Sequence, residues 1–134
     1  MAGAPLSDRI ALEAPLDNTF APVVRLIVGG IAERADFGYE AMDDLQLAIE
    51  RLLAEAGSLG HVSLSFEVKE GHIRASVGPL RSEALANALQ EPDDTPGNHT
   101  LGRILNTIVD SYGVENATDG HIVIRLVKIA RPAG

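Results

Sequence analysis

The sequence predicts an α/β chain of the α+β kind: a two-layer sandwich with helices on one face of a mostly antiparallel, mixed sheet. Three observations predict it. Some stretches place apolar residues at i, i+3, i+4 and i+7, others alternate them strictly, and each stretch has a single apolar side. Elements with one apolar side bury it against each other, which gives two layers and one core. The 134 residues make one domain, 1–134, with no internal repeat.

Residues 8–14 alternate, with Ile10, Leu12 and Ala14 on one side, and read as a strand ending at Pro15. Asp17 or Asn18 caps the helix that follows, whose apolar stripe is Phe20, Val23, Val24, Ile27 and Ile31. Gly29 and Gly30 lie inside it, each costing about 1 kcal/mol against Ala, so close backbone packing is expected there. After Asp36-Phe37-Gly38 a second helix runs from Tyr39 to Ala56, with Met42, Leu45, Ile49, Leu52, Leu53 and Ala56 on one face. Gly57 and Gly60 end it.

A hairpin follows. Val62, Leu64, Phe66 and Val68 alternate with polar residues, Glu70-Gly71 turns the chain, and Ile73, Ala75 and Val77 return. This register sets Glu67 opposite Arg74, and Gly78-Pro79 is expected to stop the strand. A short helical piece spans 82–90, apolar at Leu85 and Leu89, and leads into a Pro-, Asp- and Gly-rich lid-like loop at 91–99. Thr100 caps a helix carried by Leu101, Ile104, Leu105, Ile108, Val109 and Tyr112, which Gly113 is expected to end. Val114 to Ala117, a turn at Asp119-Gly120, and Ile122 to Leu126 supply the last two strands, and 130–134 is a tail.

Composition narrows the function classes. Nineteen acidic against eleven basic residues give a net charge of −8, which repels nucleic acid and attracts a basic partner surface. With no cysteine, disulfides, thiolate catalysis and cysteine-ligated metals are excluded. No apolar run approaches a membrane span, and Met1 to Ile10 lacks the pattern of a secretory signal, so a cytoplasmic protein is expected. His61, His72, His99 and His121 have no metal-pair spacing, and adjacent Asp93 and Asp94 are too few for Ca²⁺, so no metal site is expected. No P-loop, dinucleotide fingerprint or nucleophile elbow occurs.

The stretch from Arg25 to Ala56, RLIVGGIAERADFGYEAMDDLQLAIERLLAEA, resembles the first two helices of the anti-sigma-factor serine kinases, which have the histidine-kinase-like (GHKL) ATPase fold. The segment LGRILNTIVDSYGVE with DGHIVIRLVK resembles their last helix and final strands. The resemblance implies a nucleotide pocket, and its positions here are Arg51, Glu55, Ser76, Gly78, Gly97, Thr100, Leu101 and Gly102. Where the family carries an acid that serves as base, this chain has Arg51, which donates hydrogen bonds and accepts none. Where the family has a metal-binding Asn, it has Glu55, spaced to pair with Arg51 at i, i+4. Ser76 stands for the adenine-reading Asp, with only Gly78 kept of that motif. Backbone N–H groups at Thr100 to Gly102 remain as an anion cradle.

The implied function is an anti-sigma-like or partner-switching regulator acting by protein–protein binding, with a degenerate nucleotide site, no catalytic residue and no cofactor. Its partners are a sigma factor or an anti-sigma antagonist and a second copy in a homodimer. One alternative is an ATP- and Mg-dependent serine/threonine kinase acting on an antagonist through shifted residues, Glu50 and Glu55. The other is a non-catalytic dimerisation module.

Overall fold

A computed structural model describes residues 8–57, 60–81, 85, 87, 89, 101–117 and 120–130. Strand β1 is Asp8–Pro15, and a 3-10 turn, Asn18–Phe20, leads into helix α1, Ala21–Arg34. Helix α2 is Tyr39–Ala56, followed by the hairpin β2, His61–Lys69, and β3, His72–Leu80. Helix α3 is Leu101–Ile108, and strands β4, Ser111–Asn116, and β5, Ile122–Ile129, close the fold. The five strands form one open sheet in the order β1-β2-β3-β5-β4. The sequence allowed a mixed sheet, yet all four pairings are antiparallel.

The helices cover one face. Leu45, Ala48, Ile49 and Leu52 of α2 meet Leu64, Phe66, Ala75, Val77, Ile124 and Leu126 of the sheet, all nearly inaccessible to solvent. Truncating Leu45 or Phe66 to Ala is therefore expected to cost about 2–5 kcal/mol. The opposite face is polar and open, with ion pairs Arg74–Glu67 at 3.9 Å and Arg125–Glu115 at 3.1 Å. Glu67 lies opposite Arg74, as the hairpin register requires. Among the described residues no helix is long and apolar enough to cross a membrane.

Several local expectations change. In α1 the buried residues are Val24, Val28, Ile31 and Ala32, while Phe20 and Val23 stay 40% and 44% exposed. Asp17 caps the 3-10 turn by accepting from the Thr19 N–H at 2.9 Å, which leaves Phe20 ahead of α1, and Val23 lies about 100° round the helix from the buried Val24. Gly29 does face a close neighbour, since a Cβ there would lie 2.9 Å from Gln46 Nε2, but Gly30 faces open space. Gly78-Pro79 does not stop β3, which reaches Leu80 after a register shift against β5 between Val77 and Leu80. Such a shift lets a strand continue past residues that cannot hold the regular ladder.

The third helix ends at Ile108, not Tyr112. The Asp110 N–H donates to Val127 O at 2.9 Å and its carboxylate accepts from the Ile129 N–H at 2.7 Å, which recruits the chain into the sheet. Tyr112 and Val114 then alternate as strand residues opposite Leu126 and Ile124. Of the segment 82–90, Leu85, Asn87 and Leu89 are helical, with Leu85 and Leu89 buried and Asn87 exposed. The loop 91–99, His99, Thr100, the Asp119 part of the last turn and the tail beyond Ala130 lie outside the described residues.

Candidate functional site

Helix α2 is the element that sorts the candidate residues, because each step along it rotates about 100° and seven steps return within about 20°. Asp43 and Glu50 therefore share one side. Both bind the Arg25 guanidinium of α1: Asp43 at 2.9 Å, and Glu50 through the other terminal nitrogen. Gln46, between them, donates to the Arg25 carbonyl at 3.0 Å. Glu50 first and Asp43 second raise the Arg25 pKa above its ordinary value through hydrogen bonds to the guanidinium. A raised pKa contributes stability below the unfolded value and loses it only as pH rises through the folded one, so this link persists through neutral and alkaline solution.

One position on, Asp44 faces the other way. Its carboxylate accepts from Lys128 Nζ at 3.2 Å, and the same ammonium donates to the Ile108 carbonyl at 2.6 Å. Lys128 thus ties α2 to β5 and to the end of α3, where a cation also meets the negative end of the helix dipole. Arg51 and Glu55 follow Asp44 by seven and eleven residues, so they continue this α3-facing side, and both are exposed. They do not pair: neither takes part in an ion pair among the described residues. The i, i+4 contact expected from spacing is weak for exposed side chains, and here it is not made.

Ser76 lies elsewhere. Its neighbours Ala75 and Val77 are buried against the helices, so Ser76 points to the open face, paired in register with Ser65 and Arg125. The sheet separates it from Arg51 and Glu55. Gly78 is buried with φ at 141°, and a Cβ there would meet the Ile122 carbonyl at 2.7 Å. Leu101 and Gly102 are buried at the start of α3, and a Cβ on Gly102 would lie 2.6 Å from the Tyr112 hydroxyl. Gly97 and Thr100 fall outside the described residues. The structure thus brings Arg51 and Glu55 to the side of α2 that faces α3, and keeps Ser76 apart.

Residues that sequence reasoning passed over include Arg25, Asp43, Asp44 and Lys128. The spacing of Asp43 to Glu50 was visible as a heptad, but the partner in α1 was not. Among the described residues no group of three or more His, Asp or Glu could hold a metal ion. A small cavity of about 80 Å³ lies between β1, the 3-10 turn, α1 and α2, lined by Leu16, Phe20, Val24, Glu50, Leu53 and Ala54 among others.

A five-stranded antiparallel sheet with its helices on one face has the arrangement of a GHKL-like two-layer sandwich. No family model matches the chain. It is similar to the serine-protein kinase RsbW of Oceanobacillus iheyensis, 27% identical over 77 residues, which cover 52% of this chain and 49% of that protein. The serine-protein kinase RsbW of Listeria monocytogenes is 36% identical over 53 residues, 40% of this chain and 34% of that one. The serine-protein kinase RsbW of Halalkalibacterium halodurans is 27% identical over 146 aligned positions, covering 90% of this chain and 83% of that one. The match thus spans about half the length of the first relative and about a third of the second. Fold and relatives agree with the resemblance to the anti-sigma-factor serine kinases.

Proposed function

We propose that this chain is a partner-switching regulator of the anti-sigma type that works in the cytoplasm by binding proteins. Its partners are a sigma factor or an anti-sigma antagonist, it forms a homodimer, and its nucleotide site has lost ATP chemistry. The relatives are named as serine-protein kinases, so phosphate transfer from ATP is the alternative.

One observation carries the choice. The α3-facing side of α2, where the resemblance sets the base, presents the Arg51 guanidinium. A guanidinium offers donors only, whereas a general base must accept a proton near neutral pH. The adjacent acid, Glu50, is held on the other side of the helix by Arg25. Reaching the Arg51 side means turning about 100° around the helix and breaking that pair. Ser76, on the open face of the sheet, is too far round to read a base bound on the helix side. The groups present therefore do not fit a magnesium nucleotide. The charge of −8 and the two-layer scaffold remain, and both suit a binding protein.

A thermal-shift experiment with millimolar ATP and Mg²⁺ tests this reading. A ligand at a hundred times its Kd adds about 2.7 kcal/mol of stability. The expected result is no shift with nucleotide and a clear shift with its sigma-factor partner. A nucleotide-dependent shift, accompanied by transfer of labelled γ-phosphate to a partner, establishes the kinase reading instead.

A further inference from the structure

On the outer surface of the helical layer, α1 and α2 leave an open groove of about 660 Å³. Its lining includes Leu26, 76% exposed, and Tyr39, 90% exposed. Met42, Gly29 and Gly30 also line it, and at Gly30 a methyl group in place of the hydrogen would find nothing within 4 Å. Val23 extends the apolar strip one turn back along α1. Large apolar side chains left this exposed and side by side mark an interaction surface more often than isolated ones do.

The rim is acidic. Glu33 lines the groove, and Asp36, Glu40 and Asp43 are exposed around it. The nearby cations are already engaged, Arg25 by Asp43 and Glu50, and Arg34 by Asp8 at 2.6 Å. Glu33, Asp36 and Glu40 have no cationic partner among the described residues. A second copy of this chain, with net charge −8, brings more negative charge to this rim.

We infer that the groove between α1 and α2 receives a basic amphipathic helix of a partner protein, apolar side chains between Leu26 and Tyr39 and Lys or Arg against Glu33, Asp36 and Glu40. The shape is a channel between two helices, which suits an apolar stripe at i, i+3, i+4 and i+7. The open position at Gly30 lets the partner's side chains approach the α1 backbone. The inference rests on the protein-binding part of the proposed function and is independent of whether nucleotide binds.

Fluorescence anisotropy with two labelled peptides tests it on the full chain. Both carry leucine at i, i+3, i+4 and i+7; one has lysine at the remaining positions, the other glutamate. The lysine peptide binds, more weakly as salt rises, and the glutamate peptide does not. Leu26→Gln and Gly30→Gln, which alter open positions and leave the core intact, each weaken binding about tenfold or more. Glu33→Gln combined with Glu40→Gln weakens it severalfold, whereas Glu13→Gln, on the open face of the sheet, leaves it unchanged. Equal binding of both peptides, or none of either, overturns the inference. So does sedimentation in which the native chain is a dimer and Leu26→Gln a monomer, since the groove then holds a second copy. None of these failures alters the response to nucleotide, so they are distinguishable from failure of the proposed function.

Discussion

Of the three glycines that the resemblance matches, Gly78 and Gly102 are among the described residues and are buried, while the polar positions that differ from it, Arg51 and Glu55, are exposed and unpaired among the described residues. Gly78 holds a φ of 141° with the Ile122 carbonyl where a Cβ would go, and Gly102 faces the Tyr112 hydroxyl. Packing of this chain alone demands Gly78 and disfavours a larger residue at Gly102, with or without a nucleotide. Nothing in the packing constrains Arg51 or Glu55. A scaffold can keep its buried glycines for structural reasons while the exposed chemistry changes around them.

The largest effect is expected at Gly78. Gly78→Ala adds a methyl against backbone in a conformation that side chains rarely adopt, and stability should fall by about 2–3 kcal/mol in urea melts. An unchanged midpoint refutes the packing explanation. Gly102→Ala should cost about 1–2 kcal/mol. Here the clash is with one hydroxyl, the next ring atom being 3.8 Å away, so Tyr112→Phe should relieve it. In that background Gly102→Ala is expected to be neutral or mildly stabilising, because Ala is the better helix former. A double-mutant cycle measures the coupling directly.

Legibility from sequence follows the same divide between local and tertiary causes. Helix α2 was readable to the residue because its stripe is long and Gly57 follows it at a positive φ of 99°. The hairpin was equally plain, down to Glu67 opposite Arg74. The end of α3 was not, since Tyr112 fits the helical period as well as the strand alternation, and the deciding contacts, Asp110 to Val127 and Ile129, come from a distant strand. At the candidate site, spacing marked Arg51, Glu55 and Glu50 but could not say which way Glu50 turns. That depends on Arg25, 25 residues earlier. The face on which Ser76 lies was implicit in the alternation of Ala75 and Val77.

Smaller effects belong to the two sides of α2. Lys128→Ala leaves Asp44 and the Ile108 carbonyl without their half-buried cation, and about 1–2 kcal/mol should be lost. Arg25→Ala removes a more exposed network and should cost about 1 kcal/mol or less. Arg51→Ala and Glu55→Ala should stay within about 0.5 kcal/mol of the native chain. A large loss at either one shows that it is anchored by packing.

Calorimetric titration of the native chain with Mg-ATP tests the proposal that the α3-facing side of α2 has lost nucleotide binding. The predicted result is no specific heat of binding up to millimolar nucleotide. The same titration on Arg51→Glu with Glu55→Asn shows whether the side can be rebuilt, and adding Ser76→Asp should change nothing further, because that residue lies across the sheet. Micromolar affinity of the native chain for Mg-ATP contradicts the account.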